Sequence, residues 1–145
     1  MIPILLILFL FIAIVLNHLY LWKPRDMSLF YNGNIPLWFA HRGASATVPE
    51  NTISAFTEAI KRGIPALEID VIRTLDGVVL CSHNFDLERE TDYDGYIDEL
   101  PYARIKDANA AFNWNSKTER LPKLEDVLNI VPKHVRLNIE IKSRS

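Results

Sequence analysis

The stretch Ala66-Leu67-Glu68-Ile69-Asp70-Val71-Ile72 sets two carboxylates at alternate positions of an apolar run. Side chains two residues apart on a strand project from the same face. Glu68 and Asp70 therefore lie together, and the interleaved leucine, isoleucine and valine face the other way. Carboxylates that point into an apolar layer are costly unless they are paired or bind a cation. The stretch predicts a buried strand with helices packed on one face and a polar site on the other.

Three other apolar runs also have strand character. They are Leu37 to Ala40, Val78 to Cys81, and Val135 to Ile141, the last of which alternates apolar with polar residues. Asp76-Gly77 is a turn signal that leads into the second of these runs. Continuous apolar runs are typical of strands buried on both faces, so we expect the first run to be fully buried.

Helical patterns separate most of these runs. Apolar residues recur at helical spacing from Ile53 to Ile60, with Asn51 suited to the N-cap and Gly63 suited to the C′ position. A second helical pattern covers Lys123 to Ile130, and a short helix is expected near Leu100 to Ala111. Strands separated by helices predict a parallel α/β sheet.

The beginning of the chain differs from the rest, because residues 1–22 carry no charged side chain. A bilayer span needs about 20 apolar residues. We therefore expect a single-pass transmembrane anchor at 1–22, a linker at 23–36 and an α/β unit at 37–145. A buried core helix and a cleaved signal peptide are the alternatives, but a signal peptide would have a basic start and small residues before the cleavage site. Lys23 and Arg25 favour a cytoplasmic location for the part that follows the anchor.

Net charge and cysteine content argue against a nucleic-acid partner and exclude an intrachain disulfide. The net charge of −2 offers no basic surface, so no nucleic-acid partner is expected. Cys81 is the single cysteine, which excludes an intrachain disulfide. Its neighbours Val79 and Leu80 favour a small core residue over a reactive thiol.

Two histidines follow predicted strands directly. His41 ends the first strand and His83 ends the third. The carboxyl ends of strands carry the active site in β/α architectures, and imidazoles titrate near neutrality. The pair therefore suits the base and the acid of phosphoester cleavage. A lone strand-end histidine is more often structural, but two of them beside Glu68 and Asp70 favour catalysis.

Glu140 repeats on the last strand the arrangement of Glu68 and Asp70. Carboxylates that converge from two strands are hard oxygen ligands suited to Mg²⁺ or Ca²⁺. A zinc site would instead need cysteine or several histidines. The alternative is a buried ion network, in which the carboxylates pair with nearby basic side chains: Arg42, Arg73 and Lys142.

The residues around His41 and Glu140 add positive charge and a turn. Arg42 follows His41, and its planar guanidinium suits bidentate contact with a phosphate. Lys142 lies on the face of Glu140, where it can supply a second charge to the phosphate or simply neutralise the glutamate. Gly43 allows the backbone to turn sharply after the histidine.

A series of motifs from Trp38 to Lys142 resembles the glycerophosphodiester phosphodiesterase family. In chain order these motifs are His41-Arg42-Gly43, Pro49-Glu50-Asn51-Thr52, Glu68-x-Asp70, Thr74-x-Asp76-Gly77, Ser82-His83-Asn84, Leu87-x-Arg89-x-Thr91, Leu121-Pro122-x-Leu124-Glu125-Asp126-Val127-Leu128 and Asn138-Ile139-Glu140-Ile141-Lys142. Three positions depart from the family pattern. Asn84 stands in place of the usual aspartate, Glu90 in place of a common threonine, and Lys123 in place of a helix-capping threonine.

The resemblance implies a TIM-type (β/α)8 barrel and the hydrolysis of a glycerophosphodiester to glycerol phosphate and an alcohol. It implies one divalent cation, Mg²⁺ or Ca²⁺, and three kinds of site residue: the metal ligands Glu68, Asp70 and Glu140, the base and acid His41 and His83, and the phosphate ligands Arg42 and Lys142. One alternative is lysophospholipase D activity on lysophospholipids beside the bilayer. Another is a half-barrel without turnover that serves as an interaction module.

The length of the chain limits how much of that barrel is present. A TIM barrel takes about 250 residues and eight strands, whereas these 145 residues supply only about the first four strands. Four strands cannot close a barrel and leave its edges open. We therefore expect that the chain alone does not form a stable monomeric enzyme. Its expected partners are the lipid bilayer, the substrate and the missing second half of the barrel.

Overall fold

The computed structural model describes residues 2–21, 23, 26–31, 36–114 and 118–144. The chain divides into two compact units, Met1–Ile35 and Pro36–Ser145. The first unit contains helix α1, Ile2–Leu16, which continues as a π-helical segment at Asn17–Leu21. Its stretch Pro3–Leu21 is long and apolar enough to cross a membrane, and none of that stretch is buried within the protein.

A short helix, α2, covers Ser28–Tyr31 inside the segment predicted to be a linker. Asp26 Oδ1 accepts a hydrogen bond from Ser28 N at 2.8 Å at the start of this helix. The turn-forming linker positions at 32–35, as well as Trp22 and Arg25, lie outside the described residues. The cytoplasmic location inferred from Lys23 and Arg25 therefore stays a prediction.

The second unit is a four-stranded sheet built around a long central strand. The strands are β1 Phe39–His41, β2 Ala66–Arg73, β3 Val79–Cys81 and β4 Arg136–Ile141. Strands β1 and β4 both run parallel to β2. They occupy opposite edges of β2, because both pair with its residues 66–68.

The third strand corrects the prediction of an all-parallel sheet, because β3 runs antiparallel to β2. Thr74 N donates to Val78 O at 2.8 Å, and Thr74 Oγ1 donates to Asp76 Oδ1 at 2.6 Å, which closes a tight turn at Gly77. Parallel strands need a long crossover, whereas a tight turn joins antiparallel neighbours. The Asp76-Gly77 signal that marked the turn therefore also decided the strand direction.

The first strand is shorter and more exposed than its apolar run predicts. It begins at Phe39 and includes His41, and the side chain of Trp38 is 71% exposed. Phe39 is exposed as well. The prediction that the Leu37 to Ala40 run is buried on both faces was wrong, because β1 is an edge strand that pairs only with β2 among the described residues.

Three helices accompany the strands of this unit: α3 Ile53–Lys61, α4 Tyr102–Ile105 and α5 Leu124–Ile130. Two 3₁₀ turns, Leu87–Arg89 and Ile97–Glu99, lie in the segment between β3 and α5. The helix expected near Leu100 to Ala111 forms only at the four residues of α4. The helices predicted after Asn51 and after Lys123 are confirmed.

Helix α3 begins and ends with defined caps. Its N-cap is Thr52 rather than Asn51, and the Thr52 hydroxyl accepts a hydrogen bond from Ala55 N at 3.2 Å. Gly63 follows the helix with φ +73°, as predicted for a C′ glycine. Ile64 N donates to Ala59 O at 3.2 Å, which completes the Schellman pattern.

The core confirms the side-chain alternation predicted for β2. Leu67, Ile69 and Val71 pack in one apolar cluster with Phe56 of α3 and Val127 of α5. Both carboxylates of β2 lie on the other face, and further along the strand Ile72 packs in a second apolar cluster. Cys81 belongs to the first of these clusters and is buried, as predicted.

Candidate active site

Strand register brings the predicted polar residues into two neighbouring rows on one face of the sheet. In the first row His41 of β1 pairs with Glu68 of β2. In the second row Asp70 of β2 pairs with Glu140 of β4. Residues opposite each other on paired strands share a face. Four of the predicted site residues are therefore assembled by backbone pairing alone.

The loop after β1 wraps closely around Glu68. Arg42 has φ 57°, a left-handed conformation that is uncommon for a residue other than glycine. Its backbone N donates both to Glu68 O at 3.1 Å and to Glu68 Oε2 at 3.0 Å. The next residue, Gly43, has φ +82°, and a Cβ there would lie only 2.6 Å from the backbone carbon of Ala55. The turn predicted at Gly43 thus also needs glycine because α3 is so close.

The surroundings of Glu68 disfavour the ionised form of its carboxylate. Burial raises the pKa of Glu68, and the neighbouring Asp70 carboxylate raises it further. The hydrogen bond from Arg42 N and the nearby His41 and Arg42 side chains oppose this shift but do not cancel it. A bound cation would offset the cost of keeping the buried Glu68 carboxylate ionised, because it would compensate the negative charges of Glu68 and Asp70.

Asp70 is the most deeply buried of the three predicted ligands, with 1% of the residue exposed. Arg42 Nε lies 3.1 Å from its Oδ2 atom, and Lys142 Nζ lies 3.0 Å from its Oδ1 atom. Asn51 makes two hydrogen bonds with the same residue. Asn51 Nδ2 donates to Asp70 Oδ2 at 3.2 Å, and Asp70 N donates to Asn51 Oδ1 at 3.3 Å. Oδ1 of Asp70 thus has Lys142 as its ion-pair partner, and Oδ2 has Arg42 and Asn51.

The basic side chains are engaged with carboxylates rather than projecting freely. Arg42 Nη1 donates to Glu50 Oε1 at 2.8 Å, and Lys142 Nζ donates to Glu140 Oε1 at 2.6 Å. Burial lowers the pKa of both basic groups, but the carboxylates around them outweigh burial, so both pKa values are raised. Arg42 and Lys142 therefore form the ion network that the sequence allowed. Arg73, the third basic residue considered for that network, is exposed.

The three predicted metal ligands come close enough to share one ion. Each of Glu68, Asp70 and Glu140 offers a carboxylate oxygen that lies within 4.8 Å of the others. The donor set consists of carboxylate oxygens alone, one of them from the buried Asp70. An all-oxygen set fits a hard divalent cation. The cluster could therefore hold such an ion, provided that Lys142 moves off Asp70.

The two histidines differ in their surroundings. The His41 side chain is 69% exposed, and its Nε2 atom lies 3.9 Å from Glu68 Oε2. His83 follows β3, where Ser82 N donates to Asp70 O at 3.1 Å, so the residue before it borders the carboxylate strand. His83 Nδ1 lies 3.3 Å from Oδ1 of Asn84. Neither imidazole is sealed from solvent, as acid–base groups that meet a substrate require.

Comparison with known sequences agrees with this geometry. A family model described as the glycerophosphoryl diester phosphodiesterase family matches residues 41–145. The chain belongs to the glycerophosphoryl diester phosphodiesterase family. The matched region begins at His41 and includes every residue that we place in the site.

Individual relatives show how much of their length this chain shares. The uncharacterized protein YqiK of Bacillus subtilis is 41% identical over 108 residues, which cover 72% of this chain and 44% of YqiK. A glycerophosphodiester phosphodiesterase of Caldanaerobacter subterraneus is 38% identical over 110 residues, which cover 74% of this chain and 45% of that enzyme. The chain thus spans slightly less than half the length of these relatives.

Solved structures of the family have the same fold. A phosphodiesterase of Oleispira antarctica, solved with the product sn-glycerol-3-phosphate, aligns with a TM-score of 0.69 and 34% identity over 74% of this chain and 44% of its own. A glycerophosphodiester phosphodiesterase of Thermotoga maritima aligns with a TM-score of 0.63 and 33% identity over 74% of this chain and 44% of its own. The predicted fold class, part of a TIM-type barrel, is confirmed.

Two site residues were not identified from sequence, although both lie in the Pro49-Glu50-Asn51-Thr52 motif. Glu50 holds Arg42, and Asn51 holds Asp70. Asn51 also has φ 54°, which asparagine tolerates better than most residues. The motif served only to recognise the family, because periodicity placed Asn51 at a helix cap and carried no information about Asp70 on the next strand.

Proposed function

We propose that this chain carries the catalytic residues of a metal-dependent phosphodiesterase that hydrolyses glycerophosphodiesters to glycerol phosphate and an alcohol. The observation that carries the proposal is the convergence of Glu68, Asp70 and Glu140 within 4.8 Å, beside His41 on the same face of the sheet. Membership of the family supports the reaction class. The product bound to the Oleispira antarctica relative supports a glycerol phosphate moiety in the substrate.

Glu68, Asp70 and Glu140 would hold one divalent cation, either Mg²⁺ or Ca²⁺. The charge of the cluster suits this assignment: with Glu50 there are four carboxylates, and Arg42 and Lys142 neutralise two of them, which leaves two negative charges. A bound divalent ion would polarise the phosphoryl oxygens as a Lewis acid. Arg42 and Lys142 would then face the phosphate, whose oxygens replace part of their carboxylate contacts.

The histidines would exchange protons with the substrate. His41 takes the proton from the glycerol hydroxyl next to the phosphate, and that oxygen bonds to phosphorus to form a cyclic phosphate. His83 gives its proton to the departing alcohol as the phosphorus–oxygen bond breaks. Water then opens the cycle with the two roles reversed, and glycerol phosphate leaves.

The apolar stretch Pro3–Leu21 favours a second candidate substrate. If residues 1–22 form a membrane anchor and residues 23–36 a linker, the unit at 37–145 remains close to the headgroups, since about 14 residues span at most ~50 Å. Lysophospholipids would then be accessible for lysophospholipase D cleavage. We propose that the α/β unit lies on the cytoplasmic side of that membrane, because Lys23 and Arg25 follow the apolar stretch.

Exposed apolar side chains on the edge strands suggest what completes the site. Ile141 on β4 is 81% exposed, and Ile139 and Phe39 are exposed as well. The relatives have more than twice the matched length, so further βα units of the same barrel are the natural cover for these faces. Replacing Ile139 and Ile141 together by serine should then reduce self-association of the chain in detergent. Equal self-association of the variant and the native chain would count against an interaction through these apolar side chains.

Release of choline tests the proposed activity, because glycerophosphocholine yields glycerol phosphate and choline, whereas lysophosphatidylcholine yields lysophosphatidate and choline. The purified chain in detergent is given glycerophosphocholine or lysophosphatidylcholine in parallel, with Mg²⁺, Ca²⁺ or a chelator. Because four strands do not close the barrel, we expect cation-dependent turnover when the second half of a family barrel is supplied as a separate polypeptide. That turnover should fall at least about 100-fold in His41→Gln and His83→Gln and stay unchanged in His134→Gln. His134 is an exposed histidine in a turn, and it serves as the matched control.

The outcomes separate the alternatives. Turnover of lysophosphatidylcholine alone would favour the lysophospholipase D candidate. A rise of Tm with the cation but no turnover of either substrate would favour the non-catalytic half-barrel. The absence of both turnover and a cation-dependent Tm shift would contradict the proposed function.

A further inference from the structure

Two positions at which this chain departs from the family pattern contact each other. Asn84 follows His83 where an aspartate is usual, and Glu90 stands where a threonine is common. Asn84 Nδ2 donates to Glu90 Oε1 at 2.6 Å, and Asn84 N donates to the same atom at 3.2 Å. The negative charge of Glu90 thus lies against the side-chain amide of the residue that follows the histidine.

The Glu90 carboxylate is held in place from both sides. Its Oε2 atom accepts a hydrogen bond from Ser82 Oγ at 2.8 Å, and Ser82 is buried. Three donors therefore converge on Glu90 from residues on either side of His83. An ionised carboxylate can only accept hydrogen bonds. The amide nitrogen of Asn84 must then face Glu90, and its oxygen must face the other way.

The orientation of the Asn84 amide in turn decides which nitrogen of His83 carries a proton. Asn84 Oδ1 lies 3.3 Å from His83 Nδ1. Because an amide oxygen only accepts, this contact is a hydrogen bond only when Nδ1 carries hydrogen. The neutral imidazole then has its lone pair on Nε2, the nitrogen left to meet the substrate. In the imidazolium Nε2 also carries hydrogen, so Nε2 is the atom that gives its proton to the departing alcohol and takes one back from water.

We propose that Glu90 is a positioning residue, which acts through Asn84 to hold His83 in its Nδ1–H tautomer. This inference rests on the proposed function only for its consequence in catalysis, since the tautomer exists whether or not the chain turns over substrate. An aspartate at position 84 would accept from His83 directly. Asparagine needs Glu90 to orient its amide, so the two departures form one functional pair.

The ¹⁵N chemical shifts of the His83 ring test the proposal directly. They are measured on the full chain in detergent at alkaline pH, where imidazoles are neutral. We expect the Nδ1–H form of His83 to predominate in the native chain. Predominance of the Nε2–H form in the native chain would overturn the proposal without any variant.

Variants extend the test. Glu90→Thr should shift His83 toward the Nε2–H form, and Asn84→Asp combined with Glu90→Thr should restore Nδ1–H. Glu88→Thr makes the same chemical change two positions earlier and should leave the tautomer unchanged, because the Glu88 carboxylate accepts instead from Gly95 N at 3.3 Å. An unchanged tautomer in Glu90→Thr would also overturn the proposal. If Glu90→Thr fails to fold, the double variant and the native chain decide.

Turnover provides a second and separate measurement. We expect kcat for glycerophosphocholine to fall by roughly 10 to 100-fold in Glu90→Thr with little change in KM, and to recover in the double variant. A purely structural role for Glu90 would not be rescued by an aspartate at position 84. If the native chain shows Nδ1–H but no turnover, the positioning role stands and the proposed function fails.

Discussion

Lys142 Nζ lies 3.0 Å from Oδ1 of Asp70, a carboxylate whose residue is only 1% exposed. The same ammonium donates to Glu140 Oε1 at 2.6 Å, so it bridges two of the three proposed metal ligands. The two interpretations considered from sequence, an ion network and a cation site, are therefore not exclusive. The ammonium neutralises the carboxylates when no cation is bound, and a cation must displace it.

Replacing Lys142 by methionine tests this competition. Without a cation, Lys142→Met should lower Tm by roughly 5 °C, because Asp70 and Glu140 lose their shared partner. The affinity for Mg²⁺ or Ca²⁺ should rise by roughly 10-fold, because no ammonium has to be displaced. Titration calorimetry measures the affinity. Lys106→Met, at an exposed lysine, is the control. An affinity that falls in Lys142→Met would contradict the competition.

Glu68→Gln should separate stability from metal binding. Burial and Asp70 raise the pKa of Glu68 above its unfolded value, so the folded state holds a proton more readily than the unfolded chain. The cation-free protein should therefore gain stability as the pH falls through the folded pKa toward the ordinary value of 4.5. Glu68→Gln should remove this dependence and, at neutral pH, raise Tm by roughly 2 to 5 °C.

The same variant should lose the stabilisation by Mg²⁺ or Ca²⁺, because one ligand charge is gone. Thermal melts at several pH values, with and without the cation, measure both effects. Glu58→Gln on the surface of α3 is the matched control, since Glu58 pairs only with Arg62 among the described residues. A full cation-dependent shift of Tm in Glu68→Gln would exclude Glu68 as a ligand.

Two glycine variants separate backbone strain from close packing. Gly43 and Gly77 both have positive φ, of +82° and +91°, but only at Gly43 would a Cβ collide, 2.6 Å from the backbone of Ala55. Gly77→Ala should cost about 1 kcal/mol of unfolding free energy from strain alone. Gly43→Ala should cost about 3 kcal/mol, because α3 must also move. Denaturant melts measure the difference, and equal costs would mean that the contact with α3 yields easily.

The thiol of Cys81 should be inert in the folded protein. Burial raises the pKa of Cys81 to about 12, with the carboxylates of Asp126 and Asp70 adding to the shift. A neutral, buried thiol reacts poorly, so a thiol reagent should modify Cys81 only after unfolding. The stability of the protein should fall as the pH rises from the ordinary thiol value of 9.0 toward 12.

A variant whose single cysteine lies at an exposed position shows whether the reagent modifies an accessible thiol. Cys81→Ser combined with Thr118→Cys places the thiol at an exposed position and should react quickly in the folded state. Rapid modification of Cys81 in the native chain would show that the core opens at neutral pH.

Much of the site could be predicted from the sequence because it depends on local geometry. Alternation on β2 placed Glu68 and Asp70 on one face and the core side chains on the other, and packing against Phe56 and Val127 confirms it. The C′ role of Gly63 was equally predictable, because the left-handed conformation that ends a helix favours glycine. The membrane anchor, the domain boundaries and the roles of the site residues stay predictions.

Other features depend on what lies nearby in space, and there the sequence was insufficient. The direction of β3, the exposure of Trp38 and the choice of Thr52 as the cap of α3 were each predicted wrongly. A short apolar run has the same sequence pattern at the edge and in the centre of a sheet. The pattern is also the same in a parallel and in an antiparallel strand. Strand pairing, which joins residues far apart in the chain, decides these features.

The residue types at the ends and on the faces of the strands follow from the sequence alone, because side-chain alternation and glycine conformation are properties of a few neighbouring residues. Which charges meet depends on the folded structure. It places Lys142 against Asp70, 72 positions away in the sequence, and it places Glu90 against Asn84. Electrostatic and hydrogen-bond energies depend on distances of a few ångströms, and the folded sheet sets those distances.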